Sequence, residues 1–251
     1  MKQEDPPVTT ILGSGGGIPS IERETACLLV REDDRAMLLD AGSGVRRLRD
    51  DPALLRGIAR LSVVLTHFHF DHICGLPILH WLPVEAAIWA PGMWLYQRPS
   101  AEILAPLRRP PISPSDVSTT PVSELRDGLQ SIGGFSVRAI PQPRHWAPSV
   151  GLLVGDDLAY VTDTPFEPAS IELARGVRTL FHEAWSSSAA PSHPDRDATA
   201  ADGARVAADA GVRRLVLIHL SPDLSDHSGL ADDAQTIFAG ATLGEDGATY
   251  A

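Results

Sequence analysis

Residues 66–72 read Thr66-His67-Phe68-His69-Phe70-Asp71-His72. Three imidazoles and a carboxylate thus fall on one short turn. The run follows Leu61-Ser62-Val63-Val64-Leu65, which has the pattern of a buried strand, and precedes Gly75-Leu76-Pro77. Functional side chains concentrate where a strand hands over to a loop. Neutral imidazole and carboxylate together are the donors that hold zinc and similar divalent ions. The stretch therefore predicts a metal centre.

Four further residues could join it. Asp40 lies in Met37-Leu38-Leu39-Asp40-Ala41-Gly42, and His145 in Pro143-Arg144-His145-Trp146-Ala147-Pro148. Asp163 follows Tyr160-Val161-Thr162, and His219 follows Leu215-Val216-Leu217-Ile218. Singly, each has a plain reading. His145 is a surface histidine among prolines, Asp163 and Asp40 are turn residues, and His219 ends a strand.

The His-x-His-x-Asp-His run resembles the signature of the metallo-β-lactamase superfamily, and the outlying residues occur in that family's order. The resemblance spans nearly the whole chain, from Leu12-Gly13-Ser14-Gly15 to the acidic-aromatic tail Glu245-Asp246-Gly247-Ala248-Thr249-Tyr250. It implies an α/β (α+β) chain folded as a four-layer αββα sandwich, with residues 1–251 as a single domain. It also implies that His67, His69 and His145 hold one metal, that Asp71, His72 and His219 hold a second, and that Asp163 bridges them. Asp40 would orient a ligating histidine from behind, and Asp71 would also aim a water. The expected cofactors are two divalent ions, zinc first, with manganese or iron also compatible with these donors.

Three passages resemble the ribonuclease Z and phosphodiesterase branch: His145-Trp-Ala-Pro-Ser-Val-Gly, Leu180-Phe-His-Glu-Ala, and Thr199 through Pro222. In that branch the counterpart of Glu183 works with a histidine just ahead of the next helix, supporting proton transfer. Here Asp197 stands in that histidine's place, and His193, four residues upstream, is the other candidate. The branch's tRNA-binding arm is not evident in the sequence.

Composition bounds the partners. The net charge of −11 argues against a broad nucleic-acid footprint, which needs a basic stripe. A small-molecule phosphodiester is thus the leading substrate, with RNA the lesser expectation. No apolar run is long enough for a membrane span, and the N-terminus lacks a signal peptide's apolar core. Cytoplasmic is the default, and the family allows a homodimer. Cys27 and Cys74 form no ligand pattern and read as buried small residues. Of the five tryptophans, Trp81, Trp89 and Trp94 read as core, whereas Trp146 and Trp185 adjoin site segments.

The patterning predicts strands at Val8–Leu12, Cys27–Val30, Ala36–Leu39, Leu61–Leu65, Val137–Ile140, Gly151–Val154, Leu158–Thr162, Thr179–Glu183 and Leu215–Ile218. Helices are expected over 44–50, 52–60 and 73–82, and from a Thr199-Ala-Ala-Asp202 capping box to Gly211. Gly13-Ser14-Gly15-Gly16-Gly17 reads as a flexible turn near the site, since it lacks a phosphate loop's Lys-Ser/Thr. Pro99 to Pro121 holds six prolines and reads as an irregular excursion.

The leading expectation is a dinuclear hydrolase that cleaves small or cyclic phosphodiesters with a hydroxide bridging the metals. The alternatives are a lactone, thioester or β-lactam hydrolase using the same metals, and a non-catalytic binding or biosynthetic member of the fold.

Overall fold

The computed structural model describes residues 7–113, 119–224 and 226–251. The first six residues, read above for a leader, and Pro114 of the proline-rich stretch lie outside these.

The strands are β1 (Val8–Gly13), β2 (Cys27–Glu32), β3 (Arg35–Leu39), β4 (Arg60–Val64), β5 (Glu85–Ala90), β6 (Val122–Glu124) and β7 (Gly128–Ile132). There follow β8 (Phe135–Gln142), β9 (Ser149–Val154), β10 (Leu158–Val161), β11 (Thr179–Glu183), β12 (Arg214–Ile218), β13 (Ala241–Leu243) and β14 (Thr249–Tyr250). The helices are α1 (Arg46–Asp50), α2 (Phe70–Ile73), α3 (Gly92–Tyr96), α4 (Ser100–Leu104), α5 (Pro168–Leu173), α6 (Ala200–Ala210) and α7 (Ser228–Gln235).

Two sheets form, in the orders β14-β1-β2-β3-β4-β5-β6 and β13-β12-β11-β10-β9-β8-β7. In each, one half is antiparallel (β1-β2-β3, β7-β8-β9-β10) and the other parallel (β3-β4-β5-β6, β10-β11-β12-β13). Period-2 alternation explains the layering. Leu28, Val30, Met37 and Leu39 meet Phe181, Val216 and Ile218 between the sheets. Cys27, Leu29, Ala36 and Leu38 face the first helical layer, and Leu180, Leu215 and Leu217 the second. Central strands buried on both faces need apolar residues at every position, hence their unbroken runs. The result is an αββα sandwich.

Helix α6 keeps its expected ends. Thr199 and Asp202 form a reciprocal capping box, and Gly211 closes the helix in the left-handed conformation. Elsewhere the helical expectations are corrected. Residues 73–82 split into α2 and a 3₁₀ turn at Leu76–Trp81, with Pro77 in the turn's first positions. Residues 44–50 divide between a 3₁₀ turn (Ser43–Val45) and α1, and 52–60 shorten to Pro52–Leu55. Proline suits a first turn but not a helix interior, so each proline starts a new short piece. The same rule makes the start of the proline-rich stretch regular. Pro99 precedes α4, and Pro106 sits in the first positions of the 3₁₀ turn Ala105–Arg108.

Trp89 and Trp94 pack against the central core as expected, but Trp81 is exposed on the surface. Cys27 is buried and Cys74 half-buried. No helix among the described residues is long and apolar enough to cross a membrane.

The C-terminal tail closes the first sheet. Beyond the pairing of β14 with β1, the Asp246 carboxylate, whose side chain is 3% exposed, holds the glycine-rich loop. It accepts from Ser14 N (2.8 Å), Ser14 Oγ (2.7 Å) and Glu24 N (2.7 Å), and pairs with Arg47 (3.2 Å). Removing an acceptor shared by buried donors leaves all of them unsatisfied. Asp246→Ala is expected to lower the unfolding free energy by about 2–4 kcal/mol in urea titrations. Wild-type stability in that variant would refute this anchoring role.

Candidate metal centre

Every element of the site arrives at the C-terminal end of a strand or in a strand-to-strand turn. Asp40 follows β3, residues 65–72 follow β4, and Asp163 follows β10. Glu183 ends β11, His219 follows β12, and His145 lies between β8 and β9. Asp40, Asp163 and His219 are all left-handed, with φ of 60°, 53° and 51°. Aspartate and histidine tolerate that region better than most residues, and it turns each side chain inward at the sheet's rim.

After β4, His67 and His69 flank Phe68, which packs against the first helical-layer core with its ring 5.2 Å from Tyr96. A single helical turn, α2, then brings Asp71 and His72 to the same place. The seven predicted ligands fall into two groups, His67, His69, His145 and Asp163, and then Asp71, His72 and His219.

Asp163 divides its carboxylate between them. Oδ1 lies 3.5 Å from His67 Nε2, 3.2 Å from His145 Nε2 and 3.9 Å from His69 Nδ1. Oδ2 lies 3.1 Å from His72 Nε2 and 3.4 Å from His219 Nε2. Asp71 Oδ2 completes the second group, 3.2 Å from His219 Nε2 and 3.5 Å from His72 Nε2. Donors at about 2.0–2.1 Å from a tetrahedral ion stand roughly 3.3–3.4 Å apart. The spacing fits.

The outward ring nitrogens show why these atoms need a cation. His72 Nδ1 donates to Asp40 Oδ2 (2.8 Å), His219 Nδ1 to Glu183 Oε1 (3.2 Å), and His67 Nδ1 to Thr66 Oγ1 (3.0 Å). His145 Nδ1 lies 3.1 Å from Asp197 Oδ1 and 3.0 Å from the Arg196 carbonyl. With the outer nitrogen protonated, a neutral ring turns a lone pair inward. His72 and His219 would then face each other through Nε2 atoms 3.1 Å apart, and His67 Nε2 is buried without a hydrogen-bond partner. Bound cations relieve such convergence, and the residues present fit two.

Asp40 is wholly buried and saturated. Besides His72, it accepts from Thr66 N (2.7 Å), Thr66 Oγ1 (2.9 Å to Oδ2) and the Tyr160 hydroxyl (2.9 Å). One carboxylate thus orients two histidines of the donor set, His72 directly and His67 through Thr66. The glycine-rich turn forms a wall of the site. Gly17 N donates to Asp71 Oδ2 (2.7 Å), and a Cβ on Gly16 would stand 2.7 Å from the His219 ring. Trp185 lies beside the same ring, with centroids 5.5 Å apart.

Burial and charge set the protonation states. Burial holds the His67 imidazole well below its usual range. It opposes charge on His72 and His219 too, but Asp163 and neighbouring carboxylates outweigh it and push both well above. Asp163 and Asp71, despite burial, are held well below the carboxylate range by the surrounding histidines.

The proposed acid–base residues are placed differently from the ligands. Glu183 is buried, and besides His219 it accepts from Thr164 N (3.1 Å) and Ala198 N (3.2 Å). His193 is exposed in the loop before α6, its ring 5.9 Å from Trp146. Asp197 is 5% exposed and turned to His145. Sequence reading did not reveal the orienting roles of Thr66, Tyr160 and Asp197. Asp197's replacement of the family histidine was the one visible signal.

Comparison with known proteins identifies the family. The family model "Beta-lactamase superfamily domain" matches residues 35–220. A ribonuclease Z from Mycobacterium marinum is 31% identical over 241 residues, covering 85% of this chain and 86% of its own. One from Prochlorococcus marinus is 27% identical over 309 residues, covering 94% and 95%. Among solved structures, the metallo-beta-lactamase fold protein YhfI from Bacillus subtilis superposes with a TM-score of 0.80 at 20% identity, covering 98% and 99%.

With His72 and His219 raised, the metal-free protein holds protons at neutral pH that metal must displace. Zinc affinity is expected to fall as pH drops, by about tenfold per pH unit for each proton displaced. Calorimetry in buffers of different ionisation enthalpy reads this directly. Binding with no proton release at pH 7 would refute it.

Proposed function

The chain belongs to the beta-lactamase superfamily, and from that premise we propose that it is a metal-dependent phosphodiesterase acting on small phosphodiesters. The observation that carries the reading is the division of Asp163 between two donor groups, a site for two adjacent ions with zinc the best match. Such ions, when bound, supply Lewis acidity and hydroxide at neutral pH. The ribonuclease Z relatives favour phosphorus over carbonyl carbon as the centre attacked.

The chain's own residues do the positioning. His67, His69, His145 and Asp163 would hold one ion, and Asp71, His72, His219 and Asp163 the other. Asp71 is fixed by Gly17 N beside His219 and His72, where its carboxylate can orient a water. Asp40, Glu183 and Asp197 orient His72, His219 and His145. His193 and Asp197 thus leave the family histidine's place without an imidazole at the centre, and the leaving group's proton would come from water.

Small substrates fit the surroundings. The turns joining β7 to β8 and β9 to β10 are tight, Gly133-Gly134 and Gly155-Asp156-Asp157, and the chain carries a net charge of −11. The alignment with the Prochlorococcus relative is longer than this chain, so that relative has segments with no counterpart here. Both sheets share one core, so we read residues 1–251 as one domain.

Zinc- or manganese-loaded protein is expected to hydrolyse bis(p-nitrophenyl) phosphate, with Asp71→Ala lowering kcat by about 100-fold or more. Rates across aryl phosphodiesters should fall steeply as the leaving group becomes more basic, because no side chain protonates it. Protein carrying two metals but inert to every such diester would defeat the proposal. A flat leaving-group dependence would remove only the missing-acid element.

A further inference from the structure

Beside the His145 ligand lies a second cluster that metal binding does not use. Trp146 is 61% exposed although it directly follows a ligand. The Arg196 guanidinium lies 3.8 Å from the centroid of its ring. The exposed His193 ring stands edge-on to the indole at 77°.

The cluster is tied to the centre. The His193 carbonyl accepts from Arg196 N (2.8 Å) and Asp197 N (3.0 Å), closing a turn whose first residue is left-handed, with φ 50°. From that turn the Arg196 carbonyl and the Asp197 carboxylate reach His145 Nδ1, while the Arg196 guanidinium stacks over the indole ring. One turn therefore fixes both the metal ligand and the aromatic surface beside it.

Two properties separate this arrangement from a packing contact. A latch would bury the indole, yet most of it meets solvent. Arg196 also forms no salt bridge among the described residues, its guanidinium resting on the indole in a chain with net charge −11. An unpaired guanidinium against an open indole suits a ligand with a planar ring for the tryptophan and an anionic group for the arginine. The guanidinium is carried by the turn whose Arg196 carbonyl lies 3.0 Å from His145 Nδ1, so the pair borders the donor set.

We infer that Trp146 and Arg196 form a base-recognition platform that makes the site selective for nucleotide-bearing phosphodiesters. Trp146 stacks on the base, Arg196 binds the phosphate side, and His193 borders the ring. This rests on the phosphodiester reading only for the identity of the ligand class.

The test is calorimetric binding to the zinc-loaded protein of uridine 5′-monophosphate and of ribose 5-phosphate, which differ by the base. Wild type is expected to prefer the nucleotide by about tenfold, as base–aromatic stacking allows. Trp146→Ala should abolish the preference while retaining zinc, and Trp146→Phe should restore most of it. Arg196→Gln should weaken both ligands alike. No preference in wild type, or a preference that survives in Trp146→Ala, overturns the platform. So does loss of zinc from that variant, which would make the pair a latch on the His145 loop. Base preference without turnover of any phosphodiester would instead defeat the phosphodiesterase proposal and leave the platform standing.

Discussion

Five imidazoles and two carboxylates converge on one mostly buried space, and the Asp163 carboxylate at its middle faces both halves. Such convergence is unfavourable without positive charge among the lone pairs, so the centre depends on protons or metal ions to offset it. The surroundings are arranged accordingly. Asp40, Glu183 and Asp197 each take the outer nitrogen of one histidine of the donor set, and the inner nitrogens have little freedom to turn away.

Holding that arrangement requires the whole sandwich. Asp40 lies at the end of the first sheet, yet its fourth partner, Tyr160, comes from the second and crosses the central core. The Asp71 carboxylate is positioned by Gly17 N, in a loop held by Asp246 near the chain's end. Residues far apart in sequence thus meet within two hydrogen bonds of the same donor groups. Three of the side chains at the centre sit at left-handed strand ends, a local cost of about 1–3 kcal/mol each that the packed sheets must sustain.

Except for β5, whose residues are mostly only half-buried, the central strands were legible because burial on both faces imposes continuous apolar runs, as in Leu215 to Ile218. The edge strands were not. β6, β13 and β14 are short, and β7 alternates weakly, so pairing with a neighbour rather than local pattern makes them strands. The broken helices around Pro52 and Pro77 misled for a related reason. Local propensity suggested continuous helices, whereas each proline began a fresh turn.

The seven residues of the donor set could be named from the sequence because ligand chemistry restricts the side chains and the family order supplied their grouping. Orientation could not. Thr66 and Tyr160 look like ordinary strand-end and core residues, and Asp197 looked like a lost histidine until its carboxylate was found on His145. Only the folded chain decides that Glu183 faces His219, that His193 stays at the surface, and that Arg196 lies over Trp146. The difference is physical. A residue's chemical capacity is carried in its side chain, but what it acts upon depends on distances of about 3 Å between segments that only packing brings together.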